Sequence, residues 1–81
     1  MTDYADLTKF IAERIVSRKE SVEVQTQPRG RSTIVRLQVA EEDMGKVIGK
    51  NGRNIEALRA VVRAAGLRHH ERVQVELKDQ R

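Results

Sequence analysis

Cysteine and tryptophan are absent from this sequence, which has only one tyrosine, one phenylalanine and one proline. Without cysteine, the chain forms no disulfide, uses no thiolate catalysis and binds no metal through thiolates. With so few aromatic side chains, it cannot build the stacking platform on which RNA-recognition motifs, OB-folds and cold-shock domains hold bases. These absences exclude several classes of site before any motif is considered.

Long apolar runs are also missing. The longest aliphatic run, Ala60-Val61-Val62, is far too short to cross a bilayer. The beginning of the chain, MTDYADLTKF, is acidic and has no apolar core, so it does not resemble a signal peptide. We therefore expect a cytoplasmic protein that does not enter a membrane.

The length and the charge point to one small domain. A chain of 81 residues hides only about 60% of the surface that its unfolded form exposes, which leaves little room for a catalytic cavity. Lys and Arg number 16 against 12 Asp and Glu, for a net charge of +4 and a pI near 10.0. This excess mildly favours a polyanionic partner, but it is equally typical of a surface that serves only solubility.

Residues 3–17 repeat apolar side chains at helical spacing and are predicted to form a helix. The repeated positions are Leu7, Ile11 and Ile15. Thr2 or Asp3 can cap its beginning. Tyr4 and Phe10 lie at or beside this stripe, so we expect both aromatic rings in the core.

Three further segments alternate apolar and polar residues, at positions 21–27, 33–40 and 72–78. This period is typical of strands with one buried face. Pro28 and Gly30 separate the first two segments and predict the turn of a hairpin.

Two helices are predicted between the second and third strands, over residues 41–48 and 53–65, with Gly66 as the C-cap of the latter. The first begins with three acids, Glu41, Glu42 and Asp43. Acids are favourable in a first turn, and three adjacent carboxylates fan outward, so we prefer this explanation to a metal or acid–base site. The element order predicts an α+β fold with the helices on one face of a three-stranded sheet.

The stretch KVIGKNGRNI interrupts the helical pattern with two glycines, Gly49 and Gly52, on either side of Lys50 and Asn51. Helix beginnings carry free N–H groups and partial positive charge, which suit a phosphate. Glycine lets another backbone approach closely and accepts positive φ. Lys50 and Arg53 add cations at the same place. Without other observations, a tight connection between helices explains the glycines equally well.

Two other phosphate-binding motifs do not fit these glycines. Gly45 and Gly49 are four residues apart, and Lys50 is followed by Asn rather than Ser or Thr, so the Walker A pattern is absent. No Gly-x-Gly occurs, which excludes the dinucleotide fingerprint.

The segment from Val47 to Ile55 resembles the K-homology (KH) signature V-I-G-x-x-G-x-x-I, and the element order resembles the type II arrangement of that domain. The resemblance covers essentially the whole chain. It is closest to the small bacterial single-KH proteins of the KhpA family, through DMGKVIGKNGRNIEALRAVV at residues 43–62.

The resemblance implies that residues 1–81 form one type II KH domain, α-β-β-α-α-β, with residues 79–81 as a frayed tail. It implies binding of single-stranded RNA without catalysis, cofactor or metal, in a post-transcriptional regulator or RNA chaperone. It also implies a homodimer, or a heterodimer with a larger KH-containing protein. A protein–protein adaptor that uses the fold without RNA is the alternative.

The resemblance also assigns the binding residues. KH loops hold the backbone of about four nucleotides, and here the corresponding residues are Gly49, Lys50, Asn51 and Gly52. Arg53 is expected to contact a phosphate, and Lys46 to do so more weakly. A shallow apolar groove beside the two helices and an edge of the second strand is expected to receive bases.

Other polar residues leave alternatives open. Arg29 and Arg31 flank Gly30 at the hairpin tip, where they either extend the RNA path or form a solvated turn. The adjacent His69 and His70 diverge and have no third ligand grouped with them, so we expect an exposed connection rather than a metal site. An enzyme would need a nucleophile and an oriented base, and no Ser is grouped with a His.

Overall fold

The computed structural model describes residues 4–78, and the helices and strands follow in the predicted order. They are α1 (Tyr4–Ile15), β1 (Glu23–Arg29), β2 (Ser32–Gln38), α2 (Met44–Ile48), α3 (Arg53–Arg68) and β3 (Arg72–Leu77). Single 3₁₀ turns precede β1, α2 and α3. The predicted caps Thr2 and Asp3 and the tail at 79–81 lie outside the described residues.

The sheet has the order β1-β2-β3, so β2 is its central strand. β1 pairs antiparallel with β2 through the short hairpin, and β3 pairs parallel with β2. A parallel pair needs a crossover connection, and α2 and α3 form it. The predicted α+β fold with a three-stranded sheet is confirmed.

The core lies between the sheet and the helices, all of which pack on one face. Val35, Leu37 and Val39 are completely buried there. The stripe predicted for α3 faces them and is buried at Ile55, Leu58 and Val62, with Ala65 partly buried. Val73 and Val75 of β3 complete the layer, as the alternation predicted.

The hairpin turn is shorter than predicted, and β1 begins and ends two residues later than expected. Only Gly30 and Arg31 form the turn, with Gly30 at a φ of 60°. Pro28 lies inside β1, paired with Thr33. Because β1 is an edge strand, a residue without an N–H group is tolerated there.

The prediction that both aromatic rings are buried is wrong for Phe10. Tyr4 is 7% exposed, but Phe10 is 58% exposed, and the guanidinium carbon of Arg14 lies 5.1 Å from the centre of its ring. The fully buried side of α1 carries Tyr4, Thr8 and Ala12, whereas the predicted stripe is only partly buried. Because Phe10 is two residues away from both Thr8 and Ala12, it projects from the opposite side of the helix.

Gly66 was predicted to cap α3, but it lies inside the helix. A Cβ atom there would be 2.7 Å from Cγ2 of Val73, so the glycine allows α3 to pack directly on β3. The helix continues to Arg68, and His70 adopts the left-handed conformation, with φ of 58°. The N–H of Glu71 donates to the carbonyl of Gly66 at 2.8 Å, which completes a Schellman motif.

Candidate nucleic-acid interface

The connection between α2 and α3 is a tight turn formed by residues Gly49, Lys50, Asn51 and Gly52. Gly49 ends α2 with φ of 75° and ψ of 174°, a conformation that is essentially restricted to glycine. Asn51 and Gly52 follow with φ of 58° and 74°. The N–H of Gly52 donates to the carbonyl of Gly49 at 3.1 Å and closes the turn.

The space beside Gly49 is filled by Asn54. A Cβ atom at position 49 would lie 2.7 Å from Cγ and 2.9 Å from the backbone nitrogen of Asn54. The side-chain amide of Asn54 donates to the carbonyl of Lys46 at 2.8 Å, near the end of α2. Asn54 therefore holds the turn in place, a role that the sequence analysis missed. The only available signal was a short amide side chain in a first helical turn, where it can bond to nearby backbone.

Gly52 differs from Gly49 because the space beside it is open. A Cβ atom there would meet no atom within 4 Å, so only the positive φ of 74° favours glycine. Glycine lets another backbone approach closely. The open space at Gly52 allows a ligand to do so, whereas at Gly49 the approaching atoms belong to the chain itself.

The predicted contact residues Lys50, Asn51 and Arg53 are brought together at this turn, and all three are exposed. Within residues 4–78, neither Lys50 nor Arg53 belongs to an ion pair. The bonds that close the turn use the N–H groups of Gly52 and Arg53, and those of Lys50 and Asn51 take no part in them. The turn and the beginning of α3 therefore present two cations to one region of solvent.

Lys46, the weaker predicted contact, is not grouped with the other site residues. Its ammonium donates to the hydroxyl of Ser17 and lies 3.6 Å from a carboxylate oxygen of Asp43. Both partners lie where the segment after α1 meets the start of α2. The structure therefore directs this side chain toward α1 rather than toward the turn.

Asp43 is the anchor of that junction, which corrects the expectation that all three acids face outward. It is 1% exposed and accepts hydrogen bonds from the backbone N–H groups of Ser17 at 3.1 Å and Arg18 at 3.0 Å. The bond from Arg18 is the largest cause that lowers the pKa of Asp43 below its ordinary value of 3.8, with Ser17 and Lys46 adding to it against the effect of burial. The carboxylate thus ties the end of α1 to the helix that carries the turn.

An apolar groove is present, but not where it was expected. The central strand β2 has no free edge that could line it. The groove lies between α1 and α3 and is lined by Leu7, Phe10, Ile11, Ile15, Asn54, Ala57, Leu58 and Val61. Phe10 and Val61 are about half exposed along it. Asn54, which packs beside Gly49, forms the end of the groove next to the turn.

Arg29 and Arg31 lie at the opposite end of the domain from the turn. Arg59 of α3 donates to the carbonyl of Val75 at 3.1 Å, and Gly66 packs on Val73. Therefore α3 runs antiparallel to β3, from the turn down to the hairpin end. Its 16 residues span about 24 Å, so these arginines are separated from Lys50 by about the length of that helix.

The described residues contain no group of three His, Asp or Glu side chains that could hold a metal ion. His69 and His70 are exposed in the connection to β3, as expected. No helix within residues 4–78 is long and apolar enough to cross a membrane.

Comparison with protein families settles the relationship that the loop and fold suggest. The family described as "KhpA/KhpB, KH domain" matches residues 5–77. The chain belongs to this family. Its relatives carry names that describe binding rather than catalysis, in agreement with the prediction that the chain is not an enzyme.

Two relatives illustrate the similarity. RNA-binding protein KhpA of Caldanaerobacter subterraneus subsp. tengcongensis is 47% identical over 72 residues, which are 89% of this chain and 96% of that protein. RNA-binding protein KhpA of Bacillus subtilis is 37% identical over an alignment of 81 positions, which covers 98% of this chain and 100% of that protein.

Solved structures with the same fold are more distant in sequence. Aquifex aeolicus Era has a TM-score of 0.61 at 17% identity, over 91% of this chain and 29% of Era. Era in complex with nucleotides 1506–1542 of 16S ribosomal RNA has a TM-score of 0.60, also at 17% identity, over 91% of this chain and 28% of that one. At this identity, the likeness establishes the fold alone.

Proposed function

We propose that this protein binds single-stranded RNA by holding a segment of about four nucleotides at the turn Gly49–Gly52. The observation that carries the proposal is the turn itself, which groups the exposed Lys50, Asn51 and Arg53 where α3 begins. The names of the relatives, which describe RNA-binding proteins, support the same ligand.

The geometry favours contacts to the sugar–phosphate chain over contacts to bases. Cationic side chains and helix-start amides attract phosphate at any sequence. Aromatic stacking is worth about 1–3 kcal/mol per base, and no aromatic residue lines the turn. A single copy should therefore bind weakly and discriminate little between sequences.

The salt dependence of binding tests this mode. Two to four phosphate contacts predict a slope of log K against log salt between about −1.4 and −2.8, at roughly −0.7 per contact. The measurement is fluorescence anisotropy of a labelled six-nucleotide oligouridylate across a salt series. Arg53→Gln should make the slope about 0.7 less negative, and Lys9→Gln, on the exposed side of α1, should leave it unchanged. A slope near zero would contradict the proposal.

We also propose that the groove between α1 and α3 joins two copies of the chain. Apart from Asn54, its lining is entirely apolar, so it offers few groups that could read bases, whereas apolar area drives association of proteins. Two copies on one RNA could gain a factor of about 10² through effective concentration. A larger KH-containing protein is the alternative partner for the same groove.

Self-association has its own test. Val61 is 48% exposed in the groove, and Val61→Arg places a charge in the proposed contact. By light scattering, the wild type should be a dimer and Val61→Arg a monomer. Gln25→Arg, which adds the same charge on the exposed face of the sheet, should remain dimeric. A monomeric wild type at all concentrations would contradict the dimer.

With these two surfaces, we propose the role of a cytoplasmic post-transcriptional regulator or RNA chaperone. Such a role requires contact with many RNAs at modest affinity, which backbone recognition provides. The adaptor alternative predicts association through the groove without RNA binding at the turn, and the salt series distinguishes the two.

A further inference from the structure

Three arginines that the turn does not use form a second basic cluster at the other end of the domain. We define the distal arginine cluster as Arg29, Arg31 and Arg72. In the sheet register, Ser32 of β2 pairs with Arg29 on one side and with Arg72 on the other. Paired residues face the same side of a sheet, and adjacent strands lie about 4.8 Å apart, so the two arginines extend from one row about 10 Å apart. Arg31 follows in the turn directly beyond that row.

All three side chains are exposed, and Arg29 and Arg72 face away from the helices. Val73, next to Arg72, is buried on the helix side, and strand alternation places Arg72 on the opposite face. Within residues 4–78, no member of the distal arginine cluster belongs to an ion pair. Glu76 on the same face is paired with Arg36 at 3.5 Å, four residues along the strand from Arg72.

The neighbouring acid, Glu71, does not neutralise the cluster from the same face. It directly precedes Arg72, so strand alternation places it on the helix side. On that side, burial and, after it, Glu71 raise the pKa of Tyr4. Arg68, the last residue of α3, adds a further exposed cation at this end. The hairpin end of the domain therefore carries an excess of positive charge.

The surface between the cluster and the middle of the sheet carries polar side chains. Ile34, the next residue along this face of β2 after Ser32, is only 1% exposed. Its partners in the register are Gln27 and Gln74, and both of these amide side chains are exposed. Guanidinium groups bind phosphate oxygens through two parallel donors, and amides can contact both phosphate and base edges.

We propose that the distal arginine cluster binds the phosphate backbone of a second RNA segment, separate from the segment at Gly49–Gly52. This inference rests on the proposed function, since it takes RNA as the ligand. The two sites lie at opposite ends of α3, about 24 Å apart. One copy can therefore contact two stretches of one long RNA, or two RNA strands, which is the requirement for a protein that brings strands together.

The test compares RNAs of two lengths and two charge-matched variants. The distal variant is Arg29→Gln with Arg72→Gln, and the control is Lys9→Gln with Lys19→Gln, which removes the same charge from exposed positions on the other side. Binding of six- and twenty-nucleotide oligouridylates is measured across a salt series. For the long RNA, the distal variant should make the salt slope about 1.4 less negative, and the control should not change it. For the short RNA, neither variant should change the slope.

Equal slopes for the distal variant and the control on the long RNA would overturn the proposal, because the loss of net charge alone would then account for any change in the slope. An acidic protein as the ligand of the cluster gives that same result. If the distal variant melts at a lower temperature, Arg31→Glu in the exposed turn replaces it, with Lys19→Glu as its control. The short RNA separates the two claims: loss of its binding in Lys50→Asp with Asn51→Asp concerns the turn alone, whatever the long RNA shows.

Discussion

Asn54 occupies the space that a side chain at position 49 would need. Its Cγ would lie 2.7 Å from a Cβ atom at Gly49, while its amide bonds to the carbonyl of Lys46 at 2.8 Å. The first glycine of the turn is therefore required by the fold of the turn, and the second, Gly52, is required only by its backbone conformation. A side chain should therefore destabilise the fold more at position 49 than at position 52.

The two glycines should respond differently to alanine. At Gly52 the cost is the left-handed backbone alone, about 1 kcal/mol. At Gly49 a less accessible backbone region and the clash with Asn54 add to about 3 kcal/mol or more. Chemical denaturation of Gly49→Ala and Gly52→Ala measures both values, and equal losses would show that Asn54 does not limit position 49.

Asn54→Ala should loosen the turn without removing any proposed phosphate contact. Loss of the bond to Lys46 should lower the free energy of unfolding by about 1 kcal/mol and weaken binding of a short RNA, because the turn loses its anchor. The exposed Arg63 in the middle of α3, replaced by Ala, serves as the control for stability and should leave the free energy of unfolding nearly unchanged. If Asn54→Ala matches the wild type in both measurements, the anchor is not needed.

The junction at Asp43 predicts a specific response to acid. Its pKa is lowered in the folded protein, so it contributes stability that is fully present above its ordinary value of 3.8 and is lost as the pH falls through the lower folded value. Asp43→Asn should therefore melt at a lower temperature at pH 7. The difference from the wild type should shrink as the pH falls below about 4. A constant difference down to pH 2 would contradict this assignment.

His70→Gly should stabilise the protein. His70 holds the left-handed position at the end of α3, with φ of 58°, where glycine is the usual residue. Correcting a helix cap of this kind adds about 0.5–2 kcal/mol, and we expect the lower end because glycine also gains freedom in the unfolded chain. His69→Gly, at the residue before it with φ of −106°, should destabilise. Thermal melts of both variants check the pair.

The order of the elements could be predicted from the sequence because each buried face repeats at the period of its own structure. The strand alternation at Val35, Leu37 and Val39 and the helical stripe of α3 were both confirmed. What failed depended on packing between elements. The burial of Thr8 and Ala12 instead of the larger Leu7 and Ile11 reflects how α1 is rotated against the sheet, which a single helix does not encode.

The candidate site was predictable at Gly49–Gly52 because its glycines interrupt a helical pattern. The two anchors were not predictable, because each bonds to backbone that is not adjacent in sequence. Asn54 bonds to the carbonyl of Lys46. Asp43 accepts bonds from the segment after α1. Arg29 and Arg31 could not be placed relative to the turn until the direction of α3 on the sheet was known.

The most direct test of the central claim is the affinity of a six-nucleotide oligouridylate for Lys50→Asp with Asn51→Asp, measured with the melting temperature. The control, Lys19→Asp with Gln25→Asp, makes the same charge change at exposed positions away from the turn. Because a hydrogen bond to a charged group contributes about 1.5–3 kcal/mol, we predict roughly tenfold or greater loss of affinity in the turn variant with an unchanged melt. The control should bind nearly as the wild type does. Equal affinity of the turn variant and the wild type, with both folded, would contradict RNA binding at this turn.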